Sequence, residues 1–242
     1  MNVIKLSAIN STNDYLKQLC TTQYVENFTL VVAENQIQGR GQMGAEWQVE
    51  PGKNLTFSVL VKDLLLGIDE IFNLNAATAV SIAQALENEN ISGISIKWPN
   101  DILAGNKKTG GILIENSIKN NGEIFSIIGI GLNVNQMGFN GLPKATSLFN
   151  HAGRQFDKYD LMVKIGEQLK QNVSRLRNDD SSSIWKYYEQ KLYRKGIPSA
   201  FEKNNERFMG IIKGVGKTGL LQVQLEDDTI AEYKIKEVQL LY

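Results

Sequence analysis

Lys108, followed by Thr109-Gly110-Gly111, is the combination in this 242-residue chain best suited to holding an anion. Glycines weaken a strand unless something must approach its backbone closely. A carboxylate or phosphate is the natural visitor, and a lysine ammonium is the point charge that meets it. Lys107 competes for that role, but strand alternation puts its side chain on the opposite face. A second cation, Arg40, stands between Gly39 and Gly41 in the run Gly39-Arg40-Gly41-Gln42-Met43-Gly44-Ala45-Glu46-Trp47. There, backbone amides and a guanidinium can both face an anion.

Other chemistries are harder to support. Gly39, Gly41 and Gly44 satisfy G-x-G-x-x-G, but a dinucleotide fold needs a helix directly after the third glycine. Instead, Pro51-Gly52 follows and leads into a strand-like segment. Cys20, the single cysteine, falls on the apolar side of a helix with Leu16 and Leu19, and reads as a small core residue. His151, the single histidine, reads as a loop residue before Gly153. No grouping of His, Cys and carboxylates has metal-ligand spacing, so no protein-held metal is expected.

Alternating strand-like and helix-like segments must position the two cations. Ser11 or Thr12 caps a helix carrying Tyr15, Leu16 and Leu19. Val3–Leu6, Phe28–Ala33 and Leu55–Val61 read as strands, with the glycine-rich loop before the third, and Ile71–Leu86 as a packed helix. Ile94–Trp98, Ile102–Ala104, Gly111–Glu115 and Ile124–Ile130 read as successive strands. Gly105-Asn106 and Asn120-Asn121-Gly122 suit the turns between them. Trp98, before Pro99, is pushed to extended geometry. Tyr159–Leu176 and Ile184–Leu192 read as helices. After Lys195-Gly196-Ile197-Pro198 come short alternating segments (Phe208–Val215, Leu220–Leu225, Ile230–Ile235) that predict a small β-barrel or sandwich of about five strands.

The length allows one large domain with a small one, and the 42% apolar content suffices for a core. With 26 basic and 26 acidic side chains the formal net charge is zero, which offers no footprint for nucleic acid or a membrane surface. One cysteine excludes an internal disulfide framework and fits a reducing compartment. No apolar run approaches membrane-spanning length and no signal core opens the chain, so a cytoplasmic protein is expected.

Lys97-Trp98-Pro99-Asn100-Asp101, read with the glycine-rich run and Lys108, resembles the signatures of the biotin–protein ligase family. Ser11-Thr12-Asn13 matches the family's early STN motif, and Gly129-Ile130-Gly131-Leu132-Asn133 its late GxGxN motif. The resemblance covers most of residues 1–195 and, more weakly, the rest. It implies a mixed α/β (α+β) fold, mainly antiparallel with packed helices. Residues 1–195 would be the catalytic domain and 196–242 an SH3-like C-terminal β-barrel. It implies an ATP-dependent ligase that forms biotinyl-5′-AMP and passes biotin to a lysine of a carrier protein domain, such as that of acetyl-CoA carboxylase. Mg²⁺ would be held mainly through ATP phosphates and water.

The resemblance also implies the site. Lys108 and Arg40 would be catalytic, with Lys108 on biotin's carboxylate and the α-phosphate. Biotin would be bound by Ser11, Thr12, Asn13, Gln36, Gly39, Arg40, Gly41, Lys108, Gly110 and Gly111. Ser11, Thr12 and Gln36 suit a cyclic urea, although Ser11 and Thr12 serve equally well as helix caps. ATP and the adenylate would meet Arg40, Trp47, Asn54, Lys97, Asn100, Lys108 and Asn133. Gln42 departs from the arginine frequent there, and Met43, Ala45 and Glu46 replace further basic residues, which implies looser retention of the adenylate. A lipoate or octanoate ligase or transferase of the same superfamily is the alternative. The STN motif at residue 11 leaves no room ahead of it for a helix-turn-helix, so no DNA partner is expected; monomer and homodimer both stay open.

Overall fold

The computed structural model describes residues 1–47, 50–62, 64, 70–118, 124–178 and 180–242. The first sheet is built from β1 (Val3–Ile9), β2 (Leu30–Gln36), β3 (Leu55–Lys62), β4 (Ile94–Lys97), β5 (Asp101–Ala104), β6 (Lys107–Ile118) and β7 (Ile124–Leu132). Their order is β1-β2-β3-β7-β6-β5-β4, with the β1–β2 pair parallel and the other pairs antiparallel. A parallel pair needs a crossover, and α1 (Thr12–Thr22) supplies it.

Strand β3 is buried along its whole length, and its alternation decides what each face carries. Leu55, Phe57, Val59 and Val61 join the main core. There α2 (Ile71–Asn88) and α4 (Lys158–Arg177) pack together. Leu60 points the other way, into a smaller cluster with Val31, Phe125, Ile127 and the α1 residues Leu16 and Cys20. Cys20 is thus the small core residue expected.

A second sheet contains β8 (Pro198–Lys203), β9 (Glu206–Val215), β10 (Leu221–Gln224), β11 (Ile230–Tyr233) and β12 (Gln239–Leu241), in the antiparallel order β11-β10-β9-β8-β12. This is the small SH3-like unit the resemblance implies. It is tied to the first sheet through α5 (Ser182–Lys191) and the segment after it, where Leu192 bridges Ile96 and Lys195 bridges Ile212.

Several expectations need correction. His151 is not in a loop: α3 (Leu148–Ala152) contains it, capped by the Ser147 hydroxyl and closed by Gly153 at φ 72°. Its ring Nε2 lies 2.8 Å from the Ser92 carbonyl. Strand β6 extends well beyond Gly111–Glu115, because Gly110 and Gly111 pair with Leu132 and Gly131 of β7 and hold the ladder. The second sheet has the five strands expected, but β8 and β12 lie outside the three segments named for it; each is short and finds its partner only within that sheet. The Gly105-Asn106 turn joins β5 to β6 as expected, while Asn120-Asn121-Gly122 lies outside the described residues.

Candidate functional site

A cavity of about 520 Å³ opens between the α1 face of the first sheet, the glycine-rich segment, the β4–β5 turn and the second sheet. Its floor includes Gly111, Gly129 and Gly131; Tyr193, Ile212, Leu221 and Val238 close the far side. A site spanning both sheets is where a ligand with two chemically different ends can be gripped at each.

Lys108 lines this cavity, whereas Lys107 faces a separate hollow beside Asn106 and His151, as alternation requires. The Lys108 ammonium lies 2.6 Å from Asp101 Oδ1, and Lys97 lies 3.2 Å from the other oxygen of that carboxylate. Two cations thus share one anion. Asn100 turns inward along the backbone: its Nδ2 donates to the Ile112 carbonyl (2.8 Å) and its own carbonyl accepts the Ile112 N–H (3.0 Å). Trp98 donates from Nε1 to the Gly219 carbonyl at 2.9 Å, pinning the β4–β5 turn to the second sheet. Tyr242 stands beside these lysines, with Lys97 5.3 Å and Lys144 4.5 Å from its ring centroid. Burial first, then the neighbouring Asp101 and Tyr193, push its phenol up to about 12.

At the opposite end sits a polar corner. Ser11 caps α1, accepting the Asp14 N–H at 3.3 Å, so the capping role is real. Gln36 Oε1 accepts the Thr12 N–H at 3.0 Å, with Thr12 Oγ1 3.2 Å away. Behind them Ser58, fully buried on β3, reaches Thr12 Oγ1 at 2.7 Å and Asn13 Oδ1 at 2.6 Å. Asn13 Nδ2 donates to Glu115 at 2.7 Å.

The glycine-rich segment folds as a hairpin over the cavity. Trp47 N–H donates to Gly39 O, and Gly41 N–H to Ala45 O, so these amides serve the hairpin itself. Arg40 and Gly41 line the cavity, but the guanidinium pairs with Asp14 and lies 3.9 Å from Glu115. Trp47 lies flat on the floor: a Cβ on Gly131 would come within 2.4 Å of its indole. The indole Nε1 is buried without a hydrogen-bond partner, and buried polar groups ordinarily have one.

Four of the expected residues do not line the cavity. Asn54 accepts the Val134 N–H at 3.0 Å, and Asn133 donates from Nδ2 to the Thr146 carbonyl at 3.1 Å; both amides fasten the end of the sheet. Gly39 is tight against the Trp47 carbonyl and Gly110 against the Gly131 carbonyl and Leu132. Sequence reasoning missed Ser58, Asp101, the Gly129–Gly131 floor and the wall given by the second sheet. Signals existed for three of them. Gly129 and Gly131 stand in the GxGxN motif. Thr56 and Ser58 alternate in an otherwise apolar strand, and Asp101 lies four residues after Lys97.

A family model for the biotin/lipoate A/B protein ligase family matches residues 6–135. The chain is 35% identical over 169 residues to the bifunctional ligase/repressor BirA of Bacillus subtilis; the match takes in 68% of this chain and 51% of that protein. It thus spans about half the length of that relative. It is 28% identical over 172 residues to the biotin–[acetyl-CoA-carboxylase] ligase of Mycobacterium tuberculosis, covering 69% of this chain and 62% of that one. Among solved structures it is similar to the biotin protein ligase of Aquifex aeolicus in complex with biotin and ATP. There the TM-score is 0.80 at 26% identity, over 99% of this chain and 98% of that one.

Proposed function

The chain belongs to the biotin/lipoate A/B protein ligase family, and on that premise we propose that it is an ATP-dependent biotin–[carrier protein] ligase. A biotin carboxylate oxygen attacks the α-phosphorus of ATP, and pyrophosphate leaves. The carrier lysine, as free amine, then attacks the carbonyl of the mixed anhydride, AMP leaves with the bonding electrons, and the nitrogen gives up one proton to AMP or solvent. The enzyme forms no covalent bond; positioning and positive charge lower both barriers.

The observation that carries this reading is one cavity with a hydrogen-bonding corner at Thr12 and Gln36 and two cations, Lys108 and Lys97, on a single carboxylate. The corner suits the ring of biotin, and the cations suit its carboxylate and the phosphates. We assign Ser11, Thr12, Asn13, Gln36, Arg40, Gly41, Lys108 and Gly111 to biotin, and Arg40, Trp47, Lys97, Asn100 and Lys108 to the nucleotide. Gly39 and Gly110 act through the backbone that shapes this wall, and Asn54 and Asn133 by holding the sheet end from which it hangs. Magnesium fits only as an ion carried on the triphosphate: among the described residues no group of three His, Cys, Asp or Glu could cage it.

The same reading takes residues 1–195 as catalytic and 196–242 as the SH3-like cap, and a carrier domain as macromolecular partner. No role on DNA is assigned, given zero net charge. No helix among the described residues is long and apolar enough to cross a membrane, and a single buried cysteine outside any disulfide suits the cytoplasm. Exchange of labelled pyrophosphate into ATP tests the first half-reaction. It should depend on biotin and be unaffected by lipoate or octanoate; exchange driven by lipoate instead would make the chain a lipoate ligase.

A further inference from the structure

In the polar corner two hydroxyl protons must serve three oxygen-to-oxygen contacts. Ser58 Oγ lies 2.6 Å from Asn13 Oδ1 and 2.7 Å from Thr12 Oγ1, and Thr12 Oγ1 lies 3.2 Å from Gln36 Oε1. Chemistry fixes both amides. Asn13 Nδ2 faces the Glu115 carboxylate and the Leu113 carbonyl, which only accept. Gln36 Oε1 takes the Thr12 N–H. Neither amide oxygen can bring a proton, so Ser58 and Thr12 supply one each.

One contact therefore has none, and the longest, Thr12 to Gln36, is the one that lacks it. Ser58 donates to Asn13 Oδ1, which has no other donor among the described residues. Thr12 donates to Ser58. Its proton then points away from the cavity, which Thr12 and Gln36 line and Ser58 does not. Thr12 Oγ1 and Gln36 Oε1 are left with lone pairs facing the ligand.

We propose that Ser58 is a positioning residue that sets ligand specificity: by drawing the Thr12 proton inward, it makes the Thr12 Oγ1–Gln36 Oε1 pair an acceptor pair that demands an N–H from the ligand ring. A cyclic urea supplies one. An oxygen, sulfur or methylene at the same place leaves buried acceptors unserved, which is the costly case for a hydrogen bond. The inference rests on the biotin reading and adds which group within the protein enforces it.

The test uses two cyclic carbamates, isosteric with biotin, in which one or the other urea N–H is replaced by oxygen. Their binding and that of biotin are measured calorimetrically on the whole chain and on Ser58→Ala. For the natural chain, one carbamate should bind roughly tenfold or more weakly than biotin. In Ser58→Ala the Thr12 hydroxyl is free to turn and donate to the ring oxygen, so that penalty should shrink below about threefold. Ser58→Thr, which keeps the hydroxyl, should keep the penalty. Equal binding of biotin and both carbamates by the natural chain overturns the proposal without any variant, as does an undiminished penalty in folded Ser58→Ala. Failure of the natural chain to bind biotin would remove the ligase reading itself, a distinguishable result.

Discussion

Lys108 and Asp101 meet across the β5–β6 hairpin with 2.6 Å between ammonium and carboxylate, and the same carboxylate also holds Lys97. Along the sequence Lys108 has no acidic neighbour; the fold provides one from the strand beside it. Because one carboxylate faces two ammonium groups, positive charge is left over for an incoming anion.

Lys108→Ala should therefore stop adenylate formation while the fold persists, since Asp101 keeps Lys97. Losing a charge-assisted contact to a developing anion costs ~3 kcal/mol, about a hundredfold in rate. Biotin-dependent pyrophosphate exchange is the assay, with thermal unfolding as the control. Near-normal exchange would remove Lys108 from its role.

The Gln36–Trp47 hairpin should be protected by ligand. Its glycines make ordering entropically expensive, and Arg40 is held to its surroundings through Asp14 and Glu115. Biotin with ATP adds contacts beneath it. Tryptic cleavage after Arg40 should slow when both are present; an unchanged rate would mean the hairpin does not close on ligand.

Gln42, which departs from the arginine that the family resemblance implies, lines the cavity. A charged donor there is worth ~1.5–3 kcal/mol, against ~0.5–1.5 for a neutral amide. Gln42→Arg should accordingly slow release of biotinyl-AMP about five- to tenfold with little change in its formation. Chasing preformed labelled adenylate with excess unlabelled ligand measures this. A change under about twofold would place Gln42 outside reach of the phosphate.

Tyr242 predicts an alkaline effect. Burial, with Asp101 and Tyr193 behind it, raises its phenol from 10.0 to about 12. The fold prefers the neutral form, so the contribution is complete below pH 10.0 and is lost as pH rises towards about 12. Tyr159, raised to about 12 mainly by its hydrogen bond to Glu34, titrates in the same window. Comparison with Tyr242→Phe isolates the effect: across that interval the variant should lose less thermal stability than the natural chain. Parallel losses would show that Tyr242 does not contribute.

What could be read from the sequence was what is local. Ser11 caps α1 because a cap needs only the next three residues, and Gly105-Asn106 turns because a hairpin needs little more. Cys20 follows from helical spacing. Contacts across distant strands were out of reach. Ser58 meets Thr12 only because β3 lies beneath the start of α1. Asn54 and Asn133 show the same limit from the other side. An asparagine near a strand end can serve a ligand or a backbone, and here neighbouring carbonyl and N–H groups occupy both. Trp98 likewise meets Gly219 only once the second sheet has docked.

The most direct test of the ligase account is transfer itself. The protein is incubated with ATP, Mg²⁺, labelled biotin and a biotin carrier domain, and label is sought on the carrier. The account predicts label on one carrier lysine that requires ATP, disappears when that lysine is replaced by arginine, and is lost with Lys108→Ala. Active protein that binds biotin and ATP yet leaves the carrier unlabelled would contradict it.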